Sequence, residues 1–251
     1  MSKMARVVLP LDSQDIGTFR LALAYAEKIA AAAGAADVIL LTHTRDQLDN
    51  TGLSRFLEPA AVKALTSRQT ASLPSGRKLH GETKRTLRSG VPGAVIIAYY
   101  ADAELLDAVD GLQGVSGVVA VPWMLGEADS WAARWNPHVH GQKPVTPAPL
   151  IDDPVVVRAL EALTMAINVA TGLGHPRDKA RADEFLRILR AKGHHDPSGT
   201  IKSWAIRHRW SPRGAADLEA LAKKIWSLKA RPSAKLSQDQ NRLYERWQAA
   251  E

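Results

Sequence analysis

The chain has 251 residues, of which 45% are hydrophobic and 24% are charged, a balance typical of a folded globular protein. It contains no cysteine, which excludes disulfides, thiol nucleophiles and thiolate metal ligands. No apolar run reaches the length of about 18 residues that a transmembrane helix needs, and no signal-peptide pattern precedes the first strand-like segment. We therefore expect a cytoplasmic protein without a membrane partner.

Charge is distributed unevenly along the chain. Overall, 33 Lys and Arg residues stand against 26 Asp and Glu residues. Residues 151–251 hold 18 basic and 12 acidic side chains, whereas residues 1–150 hold 15 and 14. This contrast predicts two modules with different partners, of which the basic one is a candidate for binding a polyanion.

The first module alternates between strand and helix patterns. Apolar runs without polar alternation predict buried strands. They occupy residues 5–11, 37–42, 94–100 and 117–122. Apolar residues at helical spacing predict helices at 16–33, 102–112 and 127–135, with Asp15 or Ser13 as the first N-cap and Gly34 as its stop. Residues 45–72 indicate a broken helix, and residues 77–90 fit either a short strand or a short helix.

The alternation of strands with helices favours parallel pairing through right-handed crossovers. We therefore expect an α/β domain over residues 1–136, with a Rossmann-like, mostly parallel sheet of about four or five strands. Four prolines between residues 137 and 152 predict an extended linker after it.

Residues 153–251 predict a small all-α helical bundle that is basic. Asp153, Asp196 and Ser211 each precede a proline, and a capping side chain followed by proline is typical of a helix start. The expected helices span about 154–171, 176–192, 197–209, 212–229 and 238–250.

Residues that follow the predicted strands are the candidates for binding a small ligand, because ligands of open parallel sheets bind beyond the carboxyl ends of the strands. These residues are Asp12, Ser13, His43, Asp102 and Trp123. Asp12, His43 and Asp102 together would suit acid–base chemistry, since imidazole titrates near neutral pH. Alternatively, the acidic and hydroxyl side chains cap helices and His43 is a polar loop residue.

No motif assigns a reaction, so the catalytic residues stay unknown. The sequence lacks G-x-G-x-x-G after the first strand, the phosphate-binding loop G-x-x-x-x-G-K-[ST] and the G-x-S-x-G elbow. No cofactor is therefore predicted. His138 and His140 would point the same way in an extended segment, but the spacing fixes no third ligand, and no metal site is predicted.

A short connection, Trp210-Ser211, joins two predicted helices of the basic module, and a third helix precedes them. This plan resembles that of tri-helical DNA-binding domains, and Trp210 would add a contact. The cations predicted to contact phosphates are Lys202, Arg207, Arg209, Arg213, Lys223 and Lys224, within a partner surface of residues 177–229. The alternative is a solvated face, since acidic residues are interspersed along it.

Three functions remain open at this point. The first is a sensor or binding protein, whose α/β domain binds a small ligand or protein and whose helical domain engages nucleic acid or an acidic partner. The second is a nucleotide-handling or hydrolytic enzyme with its site at the strand ends. The third is an assembly protein that forms a homo-oligomer through the helical domain.

Overall fold

The computed structural model describes residues 4–87, 92–229 and 236–249. The chain divides into two compact units, Met1–Pro147 and Ala148–Glu251, called here the α/β unit and the helical unit. Within the described ranges, no helix is long and apolar enough to cross a membrane.

A seven-stranded sheet forms the centre of the α/β unit, in the order β3-β4-β2-β5-β6-β1-β7. Only β3 runs antiparallel to its neighbour, and the other pairs are parallel. The strands are β1 (Ala5–Val8), β2 (Asp37–Thr42), β3 (Ala71–Ser72), β4 (Lys78–Thr83), β5 (Val95–Ala101), β6 (Gly117–Pro122) and β7 (His138–Val139).

Helices cover both faces of this sheet. They are α1 (Ile16–Ala33), α2 (Asp46–Asn50), α3 (Leu53–Phe56), α4 (Pro59–Thr66), α5 (Ala103–Asp110) and α6 (Asp129–Trp135). One buried cluster joins the sheet to side chains of α1–α4, and a second joins it to α5 and α6. Leu40 belongs to the first cluster and Leu41 to the second, so successive residues of β2 are buried on opposite faces. This explains why the strand is a continuous apolar run.

The predicted α/β fold with a mostly parallel sheet and a helical C-terminal region is confirmed. Helix α1 has its predicted bounds, because the Asp15 side chain accepts a hydrogen bond from the Gly17 amide and Gly34 ends it at φ +67°. The expected four or five strands are too few. Strand β3 forms at the end of residues 45–72, which were predicted as a broken helix, β4 forms in the ambiguous segment 77–90, and β7 forms within the proline-rich segment. Residues 88–90, the end of one ambiguous segment, lie outside the described residues.

A buried ion pair fastens α5 to α6. The Arg134 guanidinium, 3% exposed, donates to Asp107 and to Asp110, at 2.9 and 2.5 Å. The indole N–H groups of Trp131 and Trp135 also donate to Asp110, at 3.1 and 3.0 Å. Burial raises the pKa of Asp110, although these donors oppose that shift. The carboxylate is thus held by three side chains where water does not reach it.

The described residues of the helical unit form five α-helices: α7 (Pro154–Ala166), α8 (Pro176–Ala191), α9 (Ile201–Arg207), α10 (Pro212–Trp226) and α11 (Gln238–Ala249). Asp153 and Ser211 cap α7 and α10 through their side chains, as predicted. The predicted start of α9 at residue 197 is wrong. The Asp196 carboxylate accepts from the Ser198 amide and closes a local turn, and the helix begins only at Ile201.

Two glycines bring α10 against the 3-10 turn Gly172–Gly174. A Cβ atom on Gly172 would lie 2.3 Å from the Gly214 Cα, and one on Gly214 would lie 2.7 Å from the Gly172 Cα. Gly172 also has φ +58°, a conformation that side chains rarely adopt. The backbones of the turn and of α10 therefore meet at a distance that only glycine permits.

A chain of three polar side chains connects α7 to α11. His194 Nδ1 lies 2.6 Å from an Asp153 carboxylate oxygen, and its Nε2 lies 3.0 Å from the Tyr244 hydroxyl. Burial would raise the pKa of Asp153, but hydrogen bonds from His194 and from the Val156 and Val155 amides outweigh it, and the pKa is lowered. Asp153 therefore holds both the start of α7 and the position of the imidazole.

Candidate functional site

The carboxyl end of β5 is the meeting point of the predicted ligand-binding residues. Strand β5 is flanked by β2 and β6, with β1 beyond β6. After β2 the chain continues to one side of the sheet, to β4, and after β5 it continues to the other side, to β6. The strand order thus reverses between β2 and β5, the position where parallel sheets bind ligands.

Tyr99 connects the end of β5 to the loop after β1. Its hydroxyl donates to the carbonyl of Ser13 at 2.9 Å. Burial raises the pKa of Tyr99, and the neighbouring Tyr100, Asp12 and Asp15 raise it further. The Ser13 side chain is buried, and the Asp12 carboxylate accepts from the Gln14 amide at 2.8 Å. This loop is therefore held against β5 by its backbone.

Tyr100 connects β5 to the loop after β6. Its ring packs against Trp123 with centroids 4.7 Å apart, and Trp123 is 48% exposed. Tyr100 has φ +57° at an irregularity of the β5–β6 register, so the strand end is strained. Although Tyr100 is 1% exposed, its hydroxyl has no hydrogen-bond partner among the described residues.

His43 and Asp102 meet across the reversal of the strand order. The His43 Nε2 atom lies 3.3 Å from Asp102 Oδ1, which also accepts from the Leu105 amide and caps α5. The amides of His43 and Thr44 both donate to the side-chain oxygen of Gln47. Asp102 therefore does both things that the sequence suggested for it: it caps a helix and it faces the imidazole.

Glu104 extends this pair to three groups of the type that bind metal ions. Ligand atoms of His43, Asp102 and Glu104 all lie within 4.8 Å of one another. The Lys84 ammonium forms an ion pair with Glu104. A cation at this position would compete with that ammonium and with the amide that Asp102 caps.

Sequence reasoning missed a pocket at the ends of β2 and β4. Its volume is about 390 Å³, and its lining residues are Arg45, Arg68, Glu82, Arg85 and Thr86. Arg45 and Arg68 lie in residues 45–72, predicted as a broken helix, and Arg85 lies in the ambiguous segment 77–90. A run of basic residues at 84–85 was the only local signal.

In the helical unit, the predicted cations lie along α9 and α10. Arg207 ends α9, Arg209 lies in the turn after it, and Arg213 lies in the first turn of α10. All three are exposed, and no described acidic side chain pairs with them. Lys223 forms an ion pair with Glu219 at 2.7 Å. Lys202 is half-buried on α9, and Lys224 lines a shallow pocket with Asp217. The arginines at the turn are thus the least neutralised part of this surface.

Trp210 does not extend this surface. It is 3% exposed, and its indole N–H donates to the Thr164 hydroxyl at 2.9 Å. The connection between α9 and α10 spans residues 208–211 rather than the two predicted residues, with Trp210 anchored in the core and Ser211 capping α10. The predicted contact from Trp210 to a nucleic acid is therefore wrong.

Comparison with known proteins reaches only the helical part of the chain. Residues 152–248 match a family model described as "Domain of unknown function (DUF1889)". The match covers less than half of the chain and names no activity. No curated protein and no solved structure matches the chain.

Proposed function

We propose that this is a binding protein in which the α/β unit binds a small ligand at the end of β5 and the helical unit binds a polyanion, with nucleic acid as the favoured partner. The observation that carries the proposal is the convergence on β5. Three separate loops contact the end of β5 or the residue that follows it, through Ser13, His43 and Trp123.

The chemistry at this strand end suits a ligand with an apolar or aromatic part and one polar group. Large apolar side chains are exposed between β1 and the start of α1 and in the loop after β6: Leu11, Ile16, Trp123, Met124 and Leu125. The buried Tyr100 hydroxyl beside Trp123 has no hydrogen-bond partner in the described ranges, and a bound ligand would supply one. An exposed apolar rim around a polar group is typical of a ligand site.

A screen of small molecules by thermal shift tests this site. Ligands that stabilise the full chain are expected to lose affinity in Trp123→Leu and in Tyr100→Phe. Tyr25→Phe is the matched control, because its hydroxyl contacts His138 and His140 at the edge strand β7, three strands away from β5. Hits that bind all three variants equally would contradict the site.

The polyanion surface rests on the exposed arginines at the α9–α10 turn. Guanidinium groups without acidic partners are available to phosphates, and such contacts release counterions. Binding of labelled DNA and RNA by the full chain is therefore expected to weaken with salt. The variant Arg207→Ala/Arg209→Ala/Arg213→Ala should reduce the slope by about 0.9 per lost phosphate contact for duplex DNA.

The control for this surface removes charge elsewhere in the same unit. Arg242 and Arg246 are exposed on α11, and the double variant Arg242→Ala/Arg246→Ala should leave the salt dependence nearly unchanged. If both variants reduced the salt dependence of binding equally, net charge alone would account for the attraction. Absence of binding at low salt would remove nucleic acid as the partner.

A second candidate function, a hydrolytic enzyme, is favoured by the His43–Asp102 pair. A carboxylate beside an imidazole orients it and stabilises its protonated form, as general base catalysis requires. Turnover of chromogenic esters or phosphoesters should then be lost in His43→Ala. His80 and Asp37 form a similar pair, 2.7 Å apart, at the start of β2. An activity that His43→Ala retains, or that His80→Ala equally removes, contradicts this assignment.

A further inference from the structure

We propose that the pocket of Arg45, Arg68 and Arg85 binds the phosphate group of a small phosphorylated molecule. This pocket is separate from the ligand site proposed at the end of β5. The two sites share only the loop after β2. Three guanidinium groups line one pocket together with a single carboxylate, Glu82. Arginine is suited to phosphate because its planar donors bind two oxygens at once.

The fold brings the three arginines together from separate segments. Strand β2 pairs with β4 along its full length, so Arg45 and Arg85, which follow these strands, lie at the same edge of the sheet. Arg68 follows α4. A Cβ atom on Gly81 of β4 would lie 3.0 Å from the Leu65 side chain, so α4 packs directly on β4. This contact places the end of α4 at the end of the strand.

The walls of the pocket are held by hydrogen bonds that leave cationic donors available. Arg45 Nη1 donates to the Thr66 carbonyl at 2.9 Å, which fixes this side chain against α4. The Thr86 hydroxyl donates to the Glu82 carboxylate, and the Thr83 amide donates to the Thr86 hydroxyl. Because Glu82 is engaged by Thr86, and because no described acidic side chain forms an ion pair with Arg68 or Arg85, an anion would meet a positively charged pocket.

The size of the pocket indicates a ligand larger than the phosphate ion. A volume of about 390 Å³ is at the lower end of the range for small-molecule sites, roughly 300–1,000 Å³. We therefore expect a sugar phosphate or nucleoside monophosphate to bind more tightly than inorganic phosphate.

Calorimetric titration of the full chain tests the proposal. The probes are inorganic phosphate, ribose 5-phosphate and adenosine monophosphate, with ribose and adenosine as their dephosphorylated counterparts. At least one organic phosphate is expected to bind saturably, and ribose and adenosine are not. Arg68→Gln and Arg85→Gln should each weaken this binding by about tenfold or more, since each removes a charge-assisted hydrogen bond.

Two controls separate this pocket from other positive charge. Arg20→Gln removes an exposed cation from α1 of the same unit and should leave the affinity unchanged. Arg207→Ala/Arg209→Ala/Arg213→Ala should also bind the organic phosphate as the unmodified chain does, whatever it does to nucleic acid. Arg68 and Arg85 are exposed, so their variants are expected to fold, and circular dichroism checks this.

Four results would overturn the proposal. The first is that no phosphorylated probe binds saturably, and the second is that inorganic and organic phosphates bind with equal affinity. The third is that Arg20→Gln lowers the affinity for the organic phosphate as much as the pocket variants do. The fourth is that the triple arginine variant of the helical unit lowers this affinity. The last result alone would assign phosphate binding to the polyanion surface.

Discussion

The two units differ in how their positive charge is placed. The α/β unit is almost neutral, yet three of its arginines line one pocket with a single acidic residue. The helical unit carries nearly all of the excess charge, yet its own arginine-rich pocket also contains Asp183 and Glu184, and Arg187 is paired with Asp183 at 2.5 Å. Net charge therefore predicts long-range attraction but does not locate a defined anion site.

A buried arginine contributes more to stability than an exposed one, and the largest predicted loss of stability follows from this difference. In Arg134→Met the Asp110 carboxylate loses its buried cation, and breaking such a pair costs about 3–5 kcal/mol. The matched change Arg207→Met removes an exposed charge from the helical unit and should alter stability by less than about 0.5 kcal/mol. Hydrogen exchange of the full chain, resolved by peptide, measures both. Similar protection of α5 and α6 in the two variants would contradict the comparison.

The stability of the helical unit is expected to depend on a close backbone contact rather than on charge. Gly172→Ala would place a methyl group against the backbone of α10 and force an alanine into a left-handed conformation. Overpacking and this strain together should cost about 3 kcal/mol. Gly174→Ala, in the same turn but with open space around it, is the control. Chemical unfolding of both variants gives the values, and equal stability would show that the turn can move away.

Local signals predicted those parts of the fold that local contacts determine. Helix α1 is bounded by the Asp15 cap and by Gly34, both adjacent in sequence to the helix. The same kind of signal failed at Asp196, because its carboxylate forms a turn with the Ser198 amide instead of starting a helix. A capping residue followed by proline indicates a chain reversal or a helix start, and the tertiary context decides between them.

The two candidate sites of the α/β unit also differ in how far the sequence predicts them. The proximity of His43 to Asp102 could be expected from the sequence, because residues that follow parallel strands meet at one edge of the sheet. The pocket of Arg45, Arg68 and Arg85 could not, because it depends on the pairing of β2 with β4 and on the packing of α4 against Gly81. Residues 77–90, which contain β4, fit either a strand or a helix, so the sequence does not predict which segments pack against it.

Adjacent tyrosines at the end of β5 offer a smaller test. Tyr99→Phe removes the hydrogen bond to the Ser13 carbonyl and leaves a buried acceptor unmet, at a cost of about 1 kcal/mol or more. Tyr100→Phe removes a buried hydroxyl that has no partner in the described part of the chain, so stability should stay equal or rise. Thermal unfolding compares them, and a loss of stability in Tyr100→Phe would indicate a partner for that hydroxyl.

The smallest expected effect is a contrast in pH dependence between two carboxylates, one in each unit. The folded-state pKa of Asp153 lies below the usual 3.8, so its stabilisation is present above that value and is lost as the pH falls through the folded-state pKa. The pKa of Asp110 is raised, so its contribution to the free energy of unfolding is present below pH 3.8 and is lost as the pH rises through the folded-state pKa.

Unfolding free energies at several pH values test this contrast, with Asp153→Asn and Asp110→Asn as references. The difference between the unmodified chain and Asp153→Asn should shrink on acidification below pH 3.8. The difference from Asp110→Asn should change in the opposite direction, with the unmodified chain gaining relative stability as the pH falls. The same sign for both would mean that burial does not dominate at Asp110, and that the donors from Arg134 and the two tryptophans outweigh it.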